Sequence, residues 1–281
     1  MTAVERFKAR DGTGLAYAAV GSGPPLVCVP GGPGRAAAYL EDLGGLATTR
    51  TLVLPDTRGT GASDLPTDDR SYTAEALADD LDALREHLGL DALDLLGHSA
   101  GGVVAMVLAA TRPAAVARLV VVTSALGPAD AEREQAMRRR EGEPWYAAAR
   151  EAADGLPYAP AGERTRLERE LRPFWYGGWT AREQAHAASA DTQVAPRASS
   201  RFTVTTPPEE VRAGLSAYEG PVLVVAGELD ALTPVAASED IVATMRAARP
   251  AARLAVLAGA GHFPWVDRPD AFRAEVEGFL A

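Results

Sequence analysis

Apolar positions along the chain alternate between two patterns. Short runs with no polar alternation recur in the first half: Pro25-Leu-Val-Cys-Val-Pro30, Thr51-Leu-Val-Leu-Pro-Asp56, Leu93-Asp-Leu-Leu96 and Arg118-Leu-Val-Val-Val-Thr123. Such runs predict strands covered on both faces. Helical patterns separate them. Leu77, Leu81, Leu84 and Leu88 form one apolar stripe, with Asp79, Asp82 and Glu86 expected on the opposite, solvated face. Thr73 is the expected N-cap, Glu75 lies in the first turn and Gly89 ends the helix. A second, apolar helix is expected over residues 103–110. Ahead of these elements, residues 4–9 and 15–20 flank Asp11-Gly-Thr-Gly14 and read as a hairpin. Strands alternating with helices predict a parallel sheet with right-handed crossovers.

From about residue 127 to 215 the pattern changes to helical periodicity without strands. This stretch is rich in Arg and Glu and holds Trp145, Trp175 and Trp179, leaving only Trp265 outside. Alternation then resumes with Pro221-Val-Leu-Val-Val-Ala226, a helix over 234–248, a strand over 253–257 and a last helix from 269. The expected organisation is one α/β domain, residues 1–126 and 216–281, interrupted by a helical cap over 127–215. Composition narrows the class. With 47% hydrophobic and 23% charged residues, the 281-residue chain suits a globular fold that needs no covalent staples. Acids outnumber bases 38 to 28, which argues against nucleic-acid or anionic-membrane partners. Cys28 is the only cysteine, excluding an intramolecular disulfide. No stretch reaches the roughly 18 apolar residues of a membrane span. The opening Met1-Thr-Ala-Val-Glu-Arg6 has no signal-peptide pattern. The expectation is therefore a cytoplasmic protein acting on a small molecule or short peptide. Oligomeric state is not legible.

The strongest chemical signal is Gly97-His-Ser-Ala-Gly101, a G-x-S-x-G match between a strand and a helix. There a serine is lifted above the sheet edge, over a helix N-terminus that favours developing negative charge. Serine needs a base and an orienting acid. Of the four histidines, His87 is expected to be solvated, His98 to pack beside the serine and His186 to lie on the surface of the insertion, with a pocket role there the alternative. His262 follows the last strand within Ala258-Gly-Ala-Gly-His-Phe-Pro-Trp265, on the edge where open α/β sheets build their sites, and is the expected base. Gly227-Glu-Leu-Asp230 ends the preceding strand; Asp230 is the expected acid, with Glu228 the alternative. Oxyanion donors are expected from the N–H groups of Ala100 and of Gly32 in the turn Pro30-Gly-Gly-Pro-Gly34. Asp56-Thr-Arg-Gly-Thr-Gly-Ala-Ser63 reads as bracing, with Asp56 and Arg58 tying the loop to its neighbours. The histidines are too dispersed for a metal motif and no dinucleotide fingerprint is present, so no cofactor is expected.

Taken together, Pro30-Gly-Gly-Pro-Gly34, Asp56-x-Arg-Gly-x-Gly-x-Ser63, Gly97-x-Ser-x-Gly101, Gly227-x-x-Asp230 and Gly261-His262 resemble the prolyl iminopeptidase family of α/β-hydrolases. The resemblance implies an eight-stranded, mostly parallel sheet with a helical cap inserted after the sixth strand. It also implies removal of an N-terminal residue, usually proline, through an acyl-enzyme. By position it supports Ser99, Asp230 and His262 as the triad, with Gly32 and Ala100 as the oxyanion hole. Two positions depart from the family: Pro30 stands where members carry histidine, and Ala100 where they often carry tryptophan.

In the cap, Glu143-Pro-Trp-Tyr146 and Phe174-Trp-Tyr-Gly-Gly-Trp179 concentrate aromatic surface. Trp145, Tyr146, Trp175 and Trp179 are candidates for a substrate wall, set against the alternative that they bind cap to core. Glu143, Glu151 and Glu183 are candidate amine anchors, against the ordinary reading of solvated carboxylates. Arg138-Arg-Arg140 reads as an exposed helix face. Three functions remain in play. The first is an aminopeptidase or amide hydrolase, and the second an esterase, lactonase or thioesterase. The third is a ligand-binding protein that keeps the triad without turnover.

Overall fold

The computed structural model describes residues 4–246 and 252–281. The apolar runs assemble into one sheet of eight strands. They are β1 (Val4–Lys8), β2 (Gly14–Gly21), β3 (Pro25–Val29), β4 (Thr51–Asp56), β5 (Leu93–His98), β6 (Val116–Val122), β7 (Val222–Gly227) and β8 (Ala252–Leu257). Their spatial order is β1-β2-β4-β3-β5-β6-β7-β8. The hairpin β1–β2 and the pair β2–β4 are antiparallel, and every later pairing is parallel. Register aligns the C-terminal ends: Val29 lies beside Gly97, His98 beside Val122, Val122 beside Val225 and Gly227 beside Leu257. The turns after β3, β5, β7 and β8 therefore gather on one edge.

The described helices are α1 (Ala74–His87), α2 (Ala100–Thr111), α3 (Asp130–Arg138), α4 (Tyr146–Gly155), α5 (Ala161–Leu171), α6 (Ala181–Gln193), α7 (Pro196–Arg201), α8 (Pro208–Ala217), α9 (Val235–Arg246), α10 (Pro264–Asp267) and α11 (Pro269–Leu280). Successive strand residues point to opposite faces, and each face has its own cover. Val27, Val29, Leu95 and Val121 pack with Leu77, Leu81 and Leu84 of α1 and with the buried α2. Leu26, Cys28, Leu96, Val120 and Val122 pack with Tyr39, Trp265 and the Phe272, Val276 and Leu280 stripe of α11. Fully burying each of these large side chains is worth roughly 1.5–3 kcal/mol. The Cys28 thiol sits within this second layer, where burial pushes its pKa up.

Thr73 caps α1 as expected, its hydroxyl accepting from the Ala76 N–H at 3.1 Å. The solvated face does not hold in full. Asp82 is buried and accepts hydrogen bonds from Arg10 and Arg85, each at 2.8 Å, so paired arginines cover what the periodicity assigned to water. The expected cap boundary at residue 215 is also corrected. It cuts through α8, whose Val211 and Leu215 join the core, and α8 packs against α2. A bridge from Thr73 to Thr203 already returns the chain to the main body before α8 begins. The helix expected over 234–248 is α9, and its expected last residues, 247 and 248, lie outside the described residues. Among the described residues no helix is long and apolar enough to cross a membrane.

Candidate active site

Ser99 occupies the turn between β5 and α2 with φ 54° and ψ −121°, a left-handed conformation costly for a residue with a side chain. Its neighbours explain how the turn closes. A Cβ on Gly101 would lie 2.5 Å from the Pro30 carbonyl oxygen, and one on Gly102 2.6 Å from Ser124 Cβ. Small residues thus let the start of α2 press against the turn after β3. The Ser99 carbonyl accepts from Gly102 N–H and from the Ser124 hydroxyl, each at 2.8 Å, which holds the strained residue. Ala100 is the first residue of α2, where N–H groups have no intrahelical acceptor and face the helix's positive end.

Asp230 and His262 are brought together. Asp230 Oδ2 accepts from His262 Nδ1–H at 2.9 Å, and both residues are buried. The carboxylate is over-determined: Oδ1 accepts from the N–H groups of Leu232 (2.7 Å) and Thr233 (3.0 Å), and Oδ2 from the Thr233 hydroxyl (2.6 Å). Four donors fix its direction. With its proton on Nδ1, His262 keeps the Nε2 lone pair available as a base. Glu228 is directed elsewhere; it is bonded to Gly259 N–H at 2.8 Å. Thr233 was not expected in this role; the local signal near it is the Asx-turn in which Asp230 accepts from the backbone two residues on, at Leu232.

In the turn after β3, Gly31 N–H donates to the Tyr39 hydroxyl at 2.6 Å, and Gly32 takes φ 122°. A Cβ on Gly31 would stand 2.8 Å from Ser99 Cβ, so this turn and the serine are in direct contact. The bracing motif behaves as expected. Asp56 accepts from Ala37 N–H (2.9 Å) and Ala62 N–H (2.8 Å), while Arg58 donates twice to Asp80 and once to Asp11. Burial works against the Arg58 charge, but these carboxylates outweigh it and leave its pKa raised.

The histidines divide clearly. His87 is exposed and stacks on Phe7. His98 is buried, with a ring 4.8 Å from that of His262. The surface reading of His186 is overturned: it is 5% exposed, donates from Nε2 to the Tyr39 carbonyl (3.0 Å) and accepts from Tyr176 OH (2.8 Å). Burial lowers its pKa to about 4. A cavity of about 270 Å³ beside it is lined by Tyr39, Glu41, Arg182, Ser189 and Gln193, and by none of Ser99, Asp230 or His262.

The cap aromatics fall into two groups. Trp145, Tyr146 and Trp175 pack on a small cluster of Ala136, Ala149, Phe174 and Ala231, the last of which is next to Asp230. Trp179 packs on Tyr176 in the second core layer, which Trp175 also touches. The exposed-face reading of Arg138-Arg-Arg140 fails at its last member. Arg140 is buried, donates to the carbonyls of Tyr176 and Gly177, and lies 4.8 Å from the Trp145 ring. The candidate anchors are committed or turned outward. Glu143 is exposed and pairs with Arg140 at 3.3 Å, Glu183 closes the capping box of α6 with Thr180, and Glu151 is exposed.

One carboxylate not foreseen is Asp267. Its Oδ2 accepts from Gly261 N–H (2.7 Å), next to His262, and from Gly177 N–H (2.9 Å) of the cap. Burial raises its pKa to about 6, against those hydrogen bonds. His262 N–H also donates to the Trp175 carbonyl at 2.7 Å, so the histidine loop is docked on the cap. Among the described residues no group of three or more His, Cys, Asp or Glu is arranged to hold a metal ion.

A sheet of this order, with a serine turn after β5 and an Asp–His pair beyond β7 and β8, defines a class. Residues 24–269 match the model of the alpha/beta hydrolase fold family, and the chain belongs to that family. It resembles proline iminopeptidases within it. The proline iminopeptidase of Lactobacillus helveticus is 44% identical over 87 residues, covering 30% of each chain, so the match spans less than a third of that relative. Among solved structures, the esterase RhEst1 from Rhodococcus sp. ECU1013 has a TM-score of 0.77 at 25% identity, covering 100% of this chain and 98% of that one. Proline iminopeptidase from Mycobacterium smegmatis has a TM-score of 0.73 at 24% identity, covering 98% and 97%, a likeness of fold.

Proposed function

We propose that this chain is a serine hydrolase that cleaves carboxylic acyl bonds through an acyl-enzyme on Ser99. The observation that carries the reading is the fixed Asp230–His262 pair on the same sheet edge as a serine held at φ 54°. His262 Nε2 takes the Ser99 proton as Oγ attacks the substrate carbonyl. The N–H groups of Ala100 and Gly32 stabilise the oxyanion, a contribution of about 2.7–4 kcal/mol per donor in comparable sites. His262 then returns the proton to the leaving alcohol or amine, and the C–O or C–N bond breaks. Water, deprotonated by His262, attacks the ester on Ser99, and collapse of that adduct returns the proton to the serine oxygen. Asp230 holds the tautomer and balances the imidazolium.

For the acyl group, the side-chain accounting favours a neutral, apolar ester. Trp145, Tyr146 and Trp175 pack on the apolar cluster that includes Ala231, the neighbour of Asp230. The glutamates that could anchor a free α-amine are paired, capping or exposed. The aminopeptidase reading is supported by the 44% identity to a proline iminopeptidase over 87 residues. The two are separated by kcat/KM for p-nitrophenyl butyrate, prolyl-naphthylamide and N-acetylprolyl-naphthylamide, each corrected for the Ser99→Ala background. The ester should be turned over with neither amide strongly preferred. A marked preference for the free prolyl amine over its acetylated form would restore the aminopeptidase.

A further inference from the structure

The oxyanion donors, the nucleophile and the base sit on three separate segments: the turn at residues 30–34, the Ser99 turn and the loop carrying His262, with Asp230 on a fourth after β7. One buried chain of hydrogen bonds joins all three. Gly31 N–H donates to Tyr39 OH at 2.6 Å, Tyr39 OH meets His98 Nδ1 at 2.6 Å, and His98 Nε2 meets the His262 carbonyl at 2.9 Å. The direction of each bond follows from the last. A carbonyl can only accept, so His98 carries its proton on Nε2, and a neutral imidazole then accepts at Nδ1. The tyrosine's single proton goes to that nitrogen, leaving its oxygen lone pairs for Gly31 N–H. Tyr39, His98 and His262 are 1%, 1% and 2% exposed, so water does not substitute for any member.

Neither middle group titrates in the ordinary range. Burial, together with the adjacent His262, pushes His98 well below the usual histidine value, and burial pushes Tyr39 up. Tyr39 is also fixed from outside the chain: its carbonyl accepts from His186 at 3.0 Å, and the Arg35 guanidinium lies 4.2 Å from its ring. The His262 carbonyl is held a second time by the Thr123 hydroxyl at 2.9 Å. Packing alone would not need such a chain, because apolar aromatic rings already surround His98 at Phe263 and Trp265.

We propose that Tyr39 and His98 are positioning residues which lock the Gly31–Gly32 oxyanion turn to the His262 loop, so that oxyanion donor and base keep one spacing across the serine. This rests on the serine-hydrolase reading above. His98 is a neutral strut in this arrangement and does not act as a second base. Interactions realised only in the transition state are the ones a displaced donor forfeits, so damage should fall on kcat.

The test uses Tyr39→Phe, His98→Phe and the double variant, with active protein counted by fluorophosphonate titration. Kinetics are read on p-nitrophenyl butyrate, and affinity on an aliphatic trifluoromethyl ketone, whose hemiketal oxyanion needs the same donors. Loss of one aligned buried bond predicts about a ten-fold fall in kcat for Tyr39→Phe, with KM within about two-fold. Inhibitor affinity should fall by a similar factor. Because both substitutions cut one chain, the double variant should be little worse than the worse single one. Unchanged kcat and inhibitor affinity in Tyr39→Phe would overturn the proposal, as would single losses that simply multiply or a loss confined to KM. If the unsubstituted protein itself showed no Ser99-dependent turnover, the functional reading would fall first and the proposal with it.

Discussion

Asp230→Asn is a severe perturbation for a reason visible in the hydrogen bonds. The two oxygens of Asp230 are not equivalent: Oδ1 faces the backbone donors of Leu232 and Thr233, whereas Oδ2 faces the Thr233 hydroxyl and His262 Nδ1. An amide in this place must keep its oxygen on the backbone side, since an NH2 group there would confront two N–H donors that cannot turn. Its nitrogen then faces His262. The Thr233 hydroxyl can rotate to accept from it, and His262 can accept only by moving its own proton to Nε2. The base would then present a proton to Ser99 where a lone pair is required. A wrong-tautomer triad loses on the order of 10⁴ in kcat, about 5 kcal/mol of transition-state stabilisation. The assay is kcat/KM for p-nitrophenyl butyrate across Asp230→Asn, Glu228→Gln and the unsubstituted protein. Glu228→Gln should stay within about two-fold, since Glu228 holds only Gly259. A loss below ten-fold for Asp230→Asn, or an equal loss for Glu228→Gln, would refute the assignment of the acid.

Three further outcomes follow from the same structure. Ser99 is strained, so Ser99→Gly should unfold in urea at a stability about 1 kcal/mol above Ser99→Ala, both variants being inactive; the reverse order would mean that no strain is stored there. Arg58→Ala leaves the buried Asp80 without its two hydrogen bonds and should cost roughly 3–5 kcal/mol, while Arg58→Met with Asp80→Leu should recover much of it in the same denaturation assay. Asp267 has its pKa raised from 3.8 to about 6 on folding, so it favours the folded chain below pH 3.8 and that contribution is lost as pH rises through 6. The shift is worth about 3 kcal/mol. Asn does not titrate, so the unfolding free energy of Asp267→Asn relative to the unsubstituted protein should climb by up to that amount from pH 4 to pH 7; a flat difference would disprove the raised pKa.

Strand positions were legible because runs such as residues 25–30 and 221–226 have no polar face to hide, and burial on both sides is their only stable fate. Ser99, Asp230 and His262 could be chosen because each follows a strand, and parallel register carries those strand ends to one edge. What one-dimensional periodicity misreads is a polar group buried by a distant partner. Asp82 sits where an exposed face belongs, yet arginines from residues 10 and 85 cover it. Arg140 and His186 looked like surface residues because the carbonyls and hydroxyls that satisfy them lie outside their own local segments, at Tyr176, Gly177 and Tyr39. The end of the cap was missed for the opposite reason. The α8 stripe looks like any other amphipathic helix, and nothing local shows that its apolar face meets α2.

The most direct test of the account is the site and stoichiometry of acylation-type labelling. The protein is treated with a fluorophosphonate, its intact mass and residual turnover of p-nitrophenyl butyrate are followed together, and the modified peptide is sequenced by mass spectrometry. The account predicts one adduct per chain, located on Ser99, with activity falling in step with labelling and no adduct on Ser99→Ala. Label on another residue, or full turnover by fully labelled protein or by Ser99→Ala, would contradict it.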